Sequence, residues 1–277
     1  MKITNGFDLM NYAKKRGLIL PAFNTTNLEM TYGIARGLNQ AGLPGYIQIS
    51  SNNLRLSDAE TITYLTKKAL ADSDVPIALH LDHGASYAHV KECVDAGFTS
   101  IMIDASKLEF EENIKEVQRC VEYCHFYGVP VEAELGCIGG KEDADFDEAD
   151  AKTNPDLVEE FVDRTGCDLL AVAVGNVHGL DATPRIDLPL LEKLVGISKV
   201  PLVMHGGSGV DFGIIQECRK LGLMKVNYGS DLRKAFISTF GKAYEANNME
   251  TQVIKYSLIA TQAVADTAEF LVKTINA

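Results

Sequence analysis

Ile77-Ala78-Leu79-His80-Leu81-Asp82-His83-Gly84 is the stretch on which the reading of this chain turns. It begins as a short apolar run of the kind that forms a strand covered on both faces, and it ends in ionisable side chains followed by glycine. A strand that terminates in reactive groups points to a parallel sheet whose strand ends carry the chemistry. Similar runs occur at Leu18 to Phe23, Tyr46 to Ser50, Ser100 to Asp104, Val129 to Leu135, Leu169 to Val174, Leu202 to His205 and Met224 to Asn227.

Between these runs the apolar spacing becomes helical. From Ser57 to Ala71, Ile62, Leu65, Ala69 and Leu70 share a face, and from Phe110 to Tyr127, Ile114, Val117 and Val121 do the same. Eight strands, seven intervening helices and a long C-terminal helical region predict an α/β fold, the (β/α)8 TIM barrel, and 277 residues suit it. A doubly wound open sheet is the runner-up, weakened because no G-x-G-x-x-G follows the first strand. No Pro-, Gly- or Ser-rich linker divides the chain, so residues 1–277 read as a single domain. Between Lys141 and Asp156 six acidic residues crowd positions 142–150 with little apolar periodicity, which predicts a surface loop.

A net charge of −12 argues against nonspecific nucleic-acid binding, which relies on clustered Lys and Arg, so a phosphorylated ligand must be gripped locally. No apolar run approaches the roughly 18 residues that span a bilayer, and MKITNGFDLM lacks the layout of a signal peptide. The expectation is a cytoplasmic protein without membrane or nucleic-acid partners. Six cysteines show no C-x-x-C spacing, so neither a disulfide framework nor a zinc ribbon is expected, and Cys120 and Cys124 read as packing residues.

In a barrel, reactive side chains should fall repeatedly at the C-terminal ends of strands. His80, Asp82 and His83 end the third predicted strand, Glu132 and Glu134 the fifth, Asn176-Val177-His178-Gly179 follows the sixth, and His205-Gly206-Gly207-Ser208-Gly209 ends the seventh. A neutral imidazole is the commonest ligand of a catalytic divalent metal, and His83, His178 and His205 converge from three strand ends. Strict alternation turns His80 the same way as Asp82 and away from His83, so His80 reads as a support behind the ligands. His89 and His125 fall in predicted helices and read as structural. Asp82 is a candidate proton-transfer group; its other reading is a partner that orients the neighbouring histidine. Glu134 reads as a further ligand of metal or substrate, and Glu142 as a base carried by the acidic loop, against the default of a solvated charge. Gly207, Ser208 and Gly209, with Gly229 and Ser230 after the eighth strand, sit where barrels bind phosphate through backbone N–H groups.

These residues resemble the class II, metal-dependent fructose-bisphosphate and tagatose-bisphosphate aldolases. The resemblance runs through Pro21-Ala22-Phe23-Asn24, His80-Leu81-Asp82-His83-Gly84, Met102-Ile103-Asp104, Glu132-Ala133-Glu134-Leu135-Gly136, Gly139-Gly140-Lys141-Glu142-Asp143, Asn176-Val177-His178-Gly179, His205-Gly206-Gly207-Ser208-Gly209 and Lys225-Val226-Asn227. It implies Zn2+ or another divalent metal on His83, His178 and His205, with Glu134 able to take displaced metal. Asp82 would move the proton at the substrate C4 hydroxyl, and Glu142 the proton at the carbon of the enediolate. Asn24 and Asn227 would contact substrate, and Gly179, Gly207, Ser208, Gly209, Gly229 and Ser230 would cradle a phosphate. A monovalent cation, Na+ or K+, would sit on carbonyls at Val177, Gly179, Gly206 and Ser208. The implied activity is retro-aldol C3–C4 cleavage of a phosphorylated ketose to dihydroxyacetone phosphate and an aldehyde, in carbohydrate metabolism such as glycolysis, by a homodimer or homotetramer.

The chain departs from the family pattern in three places. Many relatives carry Tyr-Lys beyond the glycine of the His178 motif, where this chain has Asp181 and Ala182. Gly229 and Ser230 replace the more usual Asp and Thr after Asn-x. The chain ends at Lys273-Thr274-Ile275-Asn276-Ala277 without the Gly-Ser and basic tail of many bisphosphate-cleaving relatives, which leaves the distal phosphate site open to a substrate with one phosphate or a different far-end group, with Arg55 or Arg185 as candidates to serve it. The alternatives are an aldolase of the same mechanism acting on a ketose 1-phosphate, a metal-dependent sugar-phosphate epimerase or isomerase, and a non-catalytic subunit of a larger aldolase.

Overall fold

The computed structural model describes residues 3–136, 152–180 and 183–277. Eight parallel strands close in sequence order into one barrel: β1 (Leu20–Asn24), β2 (Gly45–Ser50), β3 (Ile77–Gly84), β4 (Ser100–Ile103), β5 (Val131–Leu135), β6 (Leu169–Val172), β7 (Leu202–Met204) and β8 (Lys225–Tyr228). Almost every strand residue is buried, as expected when helices cover one face and the barrel lumen the other. The intervening helices are α2 (Leu28–Ala41), α3 (Ala59–Ala69), α4 (Tyr87–Ala96), α5 (Phe110–Phe126), α6 (Pro155–Thr165), α7 (Leu188–Ile197) and α8 (Phe212–Leu221), preceded by α1 (Gly6–Lys14) and followed by α9 (Ser230–Ala246) and α10 (Val253–Ile275). Their starts follow local chemistry: the side chains of Asn27, Asp58, Ser86 and Asp187 each accept a backbone N–H from the first turn they precede.

Two apolar layers hold the barrel. The larger lies between sheet and helices and runs from Ile19 and Phe23 to Leu271 and Ile275. The smaller fills the lower lumen, where Leu9, Met10 and Ala13 of α1 meet Leu20, Tyr46, Ala78, Met102, Leu169 and Val203. Helix α1 is therefore a plug, anchored by the amide of Gly6 on the carbonyl of Thr99 at 2.9 Å. The sequence reading did not separate it from the approach to β1. With the bottom sealed by hydrocarbon, the polar residues of β3, β5 and β8 collect in the upper lumen.

Positions 141–151 of the predicted surface loop lie outside the described residues, and the end of the loop, to Asp156, needs correcting. Thr153 is buried, its hydroxyl accepts from the amide of Ala173 at 2.8 Å and donates to the carbonyl of Leu135 at 2.5 Å, and α6 begins at Pro155. A side chain tying β5 to the segment after β6 is invisible to hydropathy, because threonine in an acidic stretch reads as surface. Thr153→Val should strand a buried donor and acceptor and cost about 1–3 kcal/mol. Thermal unfolding should show a midpoint several degrees lower, and an unchanged midpoint would mean that the tie contributes nothing.

Candidate metal centre and active site

The segment that decided the fold also forms the floor of the site, through a backbone exception. Alternation would turn His83 away from Asp82, but His83 adopts φ 45°, a left-handed conformation unusual for a residue with a side chain, and the β3–β4 register shifts between Leu81 and Gly84. Both side chains thereby face the site. The strain is held in place by Ser51, whose hydroxyl donates to the carbonyl of His83 at 2.8 Å and accepts from the amide of Ala85 at 3.2 Å.

His83, His178 and His205 each present a nitrogen within 4.8 Å of the others. Carboxylates stand behind two of them. Asp104 Oδ2 is 2.8 Å from His83 Nδ1, and Glu132 Oε1 is 2.8 Å from His205 Nε2. An ionised carboxylate only accepts, so the ring protons sit on those two nitrogens, and His83 Nε2 and His205 Nδ1 are left facing each other at 3.1 Å. As neutral rings they would oppose two lone pairs, which either a proton on His83 Nε2 or a metal ion between them would reconcile. Nitrogens bound to one tetrahedral ion at about 2.0–2.1 Å lie roughly 3.4 Å apart, so the pair has the spacing of neighbouring ligands. Glu134 adds a buried Oε2 that has no hydrogen-bond partner among the described residues, 3.8 Å from His205 Nδ1. An unpaired buried oxygen beside opposed imidazole nitrogens fits a cation.

The electrostatics agree. Burial works against charge on His83, but Asp82, Asp104 and Glu134 outweigh it and raise its pKa well above the ordinary histidine value. For Glu134, burial and the nearby charge of Asp104 push the carboxyl well above the usual range. His205 shifts the other way, lowered chiefly by burial, as suits a neutral ligand. The pocket has gathered more negative charge than its imidazoles can balance without a proton or a metal.

Asp82 is fully buried and held at both ends: Asn24 Nδ2 donates to Oδ2 at 2.7 Å and Asn227 Nδ2 to Oδ1 at 3.0 Å. Gln48 Nε2 donates to Asn24 Oδ1 at 2.8 Å, while Asn227 Oδ1 has no partner among the described residues. The loops after β6 and β7 close over this floor. Asn176 Nδ2 donates to the carbonyl of His205 at 3.0 Å, and Gly206 (φ 62°) lies so close to the carbonyl of Val177 that a Cβ there would fall 2.2 Å from its oxygen. Ser208 is buried and accepts from the amide of Asp231 at 3.4 Å, which sets Gly207, Ser208 and Gly209 against Gly229, Ser230 and the start of α9. Helix α9 thus points its N-terminus into the glycine loop, an arrangement suited to an anion.

A model of the class II fructose-bisphosphate aldolases matches residues 4–277. The chain belongs to that family. Its members are metal-dependent lyases, and the fold expectation is met by the closed barrel. The chain is 38% identical over 240 residues to the fructose-bisphosphate aldolase of Geobacillus stearothermophilus, covering 85% of this chain and 84% of that protein. It is 34% identical over 271 residues to a probable fructose-bisphosphate aldolase of Bacillus subtilis, covering 96% and 95%. The solved structure of the YdjI aldolase from Escherichia coli K12 superposes with a TM-score of 0.86 at 30% identity, over 98% of this chain and 97% of that one.

The structure brings His83, His178, His205, Glu134, Asp82, Asn24 and Asn227 together. Glu142 lies outside the described residues, as do Asp181 and Ala182. Arg55 and Arg185 are exposed, with Arg55 Nη1 3.4 Å from Asn52 Oδ1. Three contributors were given no role from sequence. Asp104 ends the strand β4 segment in a quoted motif, Glu132 shares the facing of Glu134, and Arg233, one turn along α9, places Nη2 3.4 Å from Ser230 Oγ beside the glycine loop. The signal for Arg233 was present as a cation at helical spacing from the cradle. Among the described residues, no helix is long and apolar enough to cross a membrane.

Asp104→Ala should leave the fold intact while weakening divalent-metal affinity about 10–100-fold, because the ring of His83 loses the partner that orients it. Competition against a chelator measures this, and unchanged affinity would remove Asp104 from the metal centre.

Proposed function

We propose that this protein, acting as one domain over residues 1–277, cleaves the C3–C4 bond of a ketose 1,6-bisphosphate of the fructose or tagatose type, releasing dihydroxyacetone phosphate and an aldehyde. The observation that carries the reading is Asp82, fully buried, gripped by two asparagine amides and adjoining a histidine of the metal centre. His83, His178 and His205 would hold a divalent ion, zinc by family resemblance, with Glu134 beside it. When bound, the metal supplies positive charge that stabilises the enediolate left as the carbon bond breaks.

The protein's own groups do the rest. Asp82 takes the proton of the C4 hydroxyl as the bond opens, and Asn24 and Asn227 fix its carboxylate so that the lone pair is aimed rather than mobile. The free Oδ1 of Asn227 accepts a hydroxyl of the ketose portion. Gly179, Gly207, Ser208, Gly209, Gly229 and Ser230 hold the 1-phosphate by N–H and O–H groups, with Arg233 supplying positive charge. Glu142 returns a proton to the carbon. Carbonyls of Val177, Gly179, Gly206 and Ser208 would take Na+ or K+, and the active form would be a cytoplasmic homodimer or homotetramer. A ketose 1-phosphate is the second substrate reading, for which neither of the exposed Arg55 and Arg185 would be needed as a distal clamp.

A screen of ketose 1-phosphates and 1,6-bisphosphates, read as triose release, tests this. Cleavage is expected with added zinc and should be abolished by EDTA; activity after thorough metal removal would refute the metal mechanism, and sugar isomerisation without triose release would mark an epimerase. Asp82→Ala should keep zinc yet lose at least about 100-fold in turnover, whereas wild-type turnover in that variant would make Asp82 structural. In Gly207→Ala the new methyl would lie 2.6 Å from Val226 Cγ2 and 2.8 Å from the carbonyl of Asn227. That variant should raise KM for the phosphorylated ketose with zinc affinity unchanged, and an unaltered KM would move the phosphate elsewhere.

A further inference from the structure

Beneath the metal-site histidines the lumen holds a second ionisable group that the proton transfers proposed above do not use. His80, Glu132 and Lys225 are fully buried. Lys225 Nζ donates to Glu132 Oε2 at 2.8 Å and reaches His80 Nε2 at 3.4 Å, while His80 Nδ1 is 2.8 Å from Ser100 Oγ. The ring of Tyr46 lies 5.7 Å from the ammonium. Residues two apart on a strand face the same way, so β3, β5 and β8 each send one residue to a lower tier (His80, Glu132, Lys225) and one to an upper tier (Asp82, Glu134, Asn227). A buried ammonium is expensive unless paired, and an aliphatic side chain would fill this volume without that expense. The charge therefore has a task beyond packing.

The other oxygen of Glu132 shows what the task is. Oε1 is 2.8 Å from His205 Nε2, so that nitrogen carries the ring proton and Nδ1 keeps its lone pair toward His83 Nε2 at 3.1 Å. Were Glu132 to rotate or become a donor, His205 could adopt the opposite tautomer, with hydrogen on the nitrogen that has to be bare. The geometry points to Lys225 as a positioning residue that pins the second oxygen of Glu132, thereby fixing the tautomer and ring orientation of His205 and, through them, the affinity of the three-histidine site for a divalent metal. Burial pushes the Glu132 carboxyl up, yet Lys225, followed by the hydrogen bond to His205, holds it well below the usual carboxylate range. Lys225 lies one tier below Asn227, and its contacts are to Glu132, His80 and Tyr46. The inference rests on the metal reading above and adds what tunes that site.

The test measures zinc affinity of the full chain by chelator competition and the His205 tautomer in metal-free protein by 15N chemical shifts. Lys225→Met should fold and bind zinc about 10–100-fold more weakly. Glu132→Gln should lose at least as much, because Lys225 would claim the amide oxygen and turn the NH2 toward His205. The double variant E132Q/K225M frees that amide to flip, so it should bind zinc no more weakly than E132Q alone. Wild type should show His205 protonated at Nε2. A folded K225M with wild-type zinc affinity would overturn the inference, as would losses that multiply in the double variant, or a wild-type His205 protonated at Nδ1. If K225M does not fold, the double variant and the wild-type tautomer decide between these results. A wild-type chain that takes up no zinc would overturn the metal reading itself, a distinguishable failure.

Discussion

Two imidazole nitrogens opposed at 3.1 Å, each backed by a carboxylate at 2.8 Å, are the constraint around which the upper barrel is organised. As neutral rings they would oppose two lone pairs, so the arrangement calls for a proton or a metal ion between them. Much of the surrounding structure serves that requirement. The left-handed backbone at His83 turns its ring inward, Ser51 clamps the turn, Asp104 and Glu132 set the ring protons, and Glu134 adds a further buried oxygen. The apolar plug of α1 fills the lower lumen with hydrocarbon, and the lower tier of charges is paired internally.

The same constraint separates two kinds of acid in one small volume. Glu132 is neutralised by a lysine and faces the back of His205; Glu134 is buried near Asp104, and its carboxyl is pushed upward. Asp82, a third, is tied by amides rather than cations. Carboxyl groups of the same chemistry thus acquire three distinct environments, the kind of separation that the proposed roles of Glu132, Glu134 and Asp82 call for.

The barrel was legible because parallel strands covered on both faces leave continuous apolar runs, and eight of them stand in order. His83, His178 and His205 were legible because strand ends in a barrel converge. Alternation misjudged the relation of His83 to Asp82, since a single residue at φ 45° cancels the period of two, and nothing in a histidine announces that conformation. Asp104 and Glu132 were quoted in motifs but given no role, and Arg233 went unremarked, for a related reason. Their importance lies in pairings across β4, β5, β8 and α9, and such pairings depend on register, which hydropathy does not encode. Thr153 escaped because its partners, the backbone of Leu135 and Ala173, are created only when the strands are in place.

The most direct measurement is a zinc titration of metal-stripped protein that follows bound zinc per chain together with the thermal midpoint. The account predicts one tightly bound zinc per chain and a midpoint that rises with free zinc, as ligation of the native state requires, with both effects lost in His205→Ala. A protein that takes up no zinc, or whose His205→Ala variant binds it as tightly as wild type, would contradict the claim that the opposed imidazoles are built around a metal.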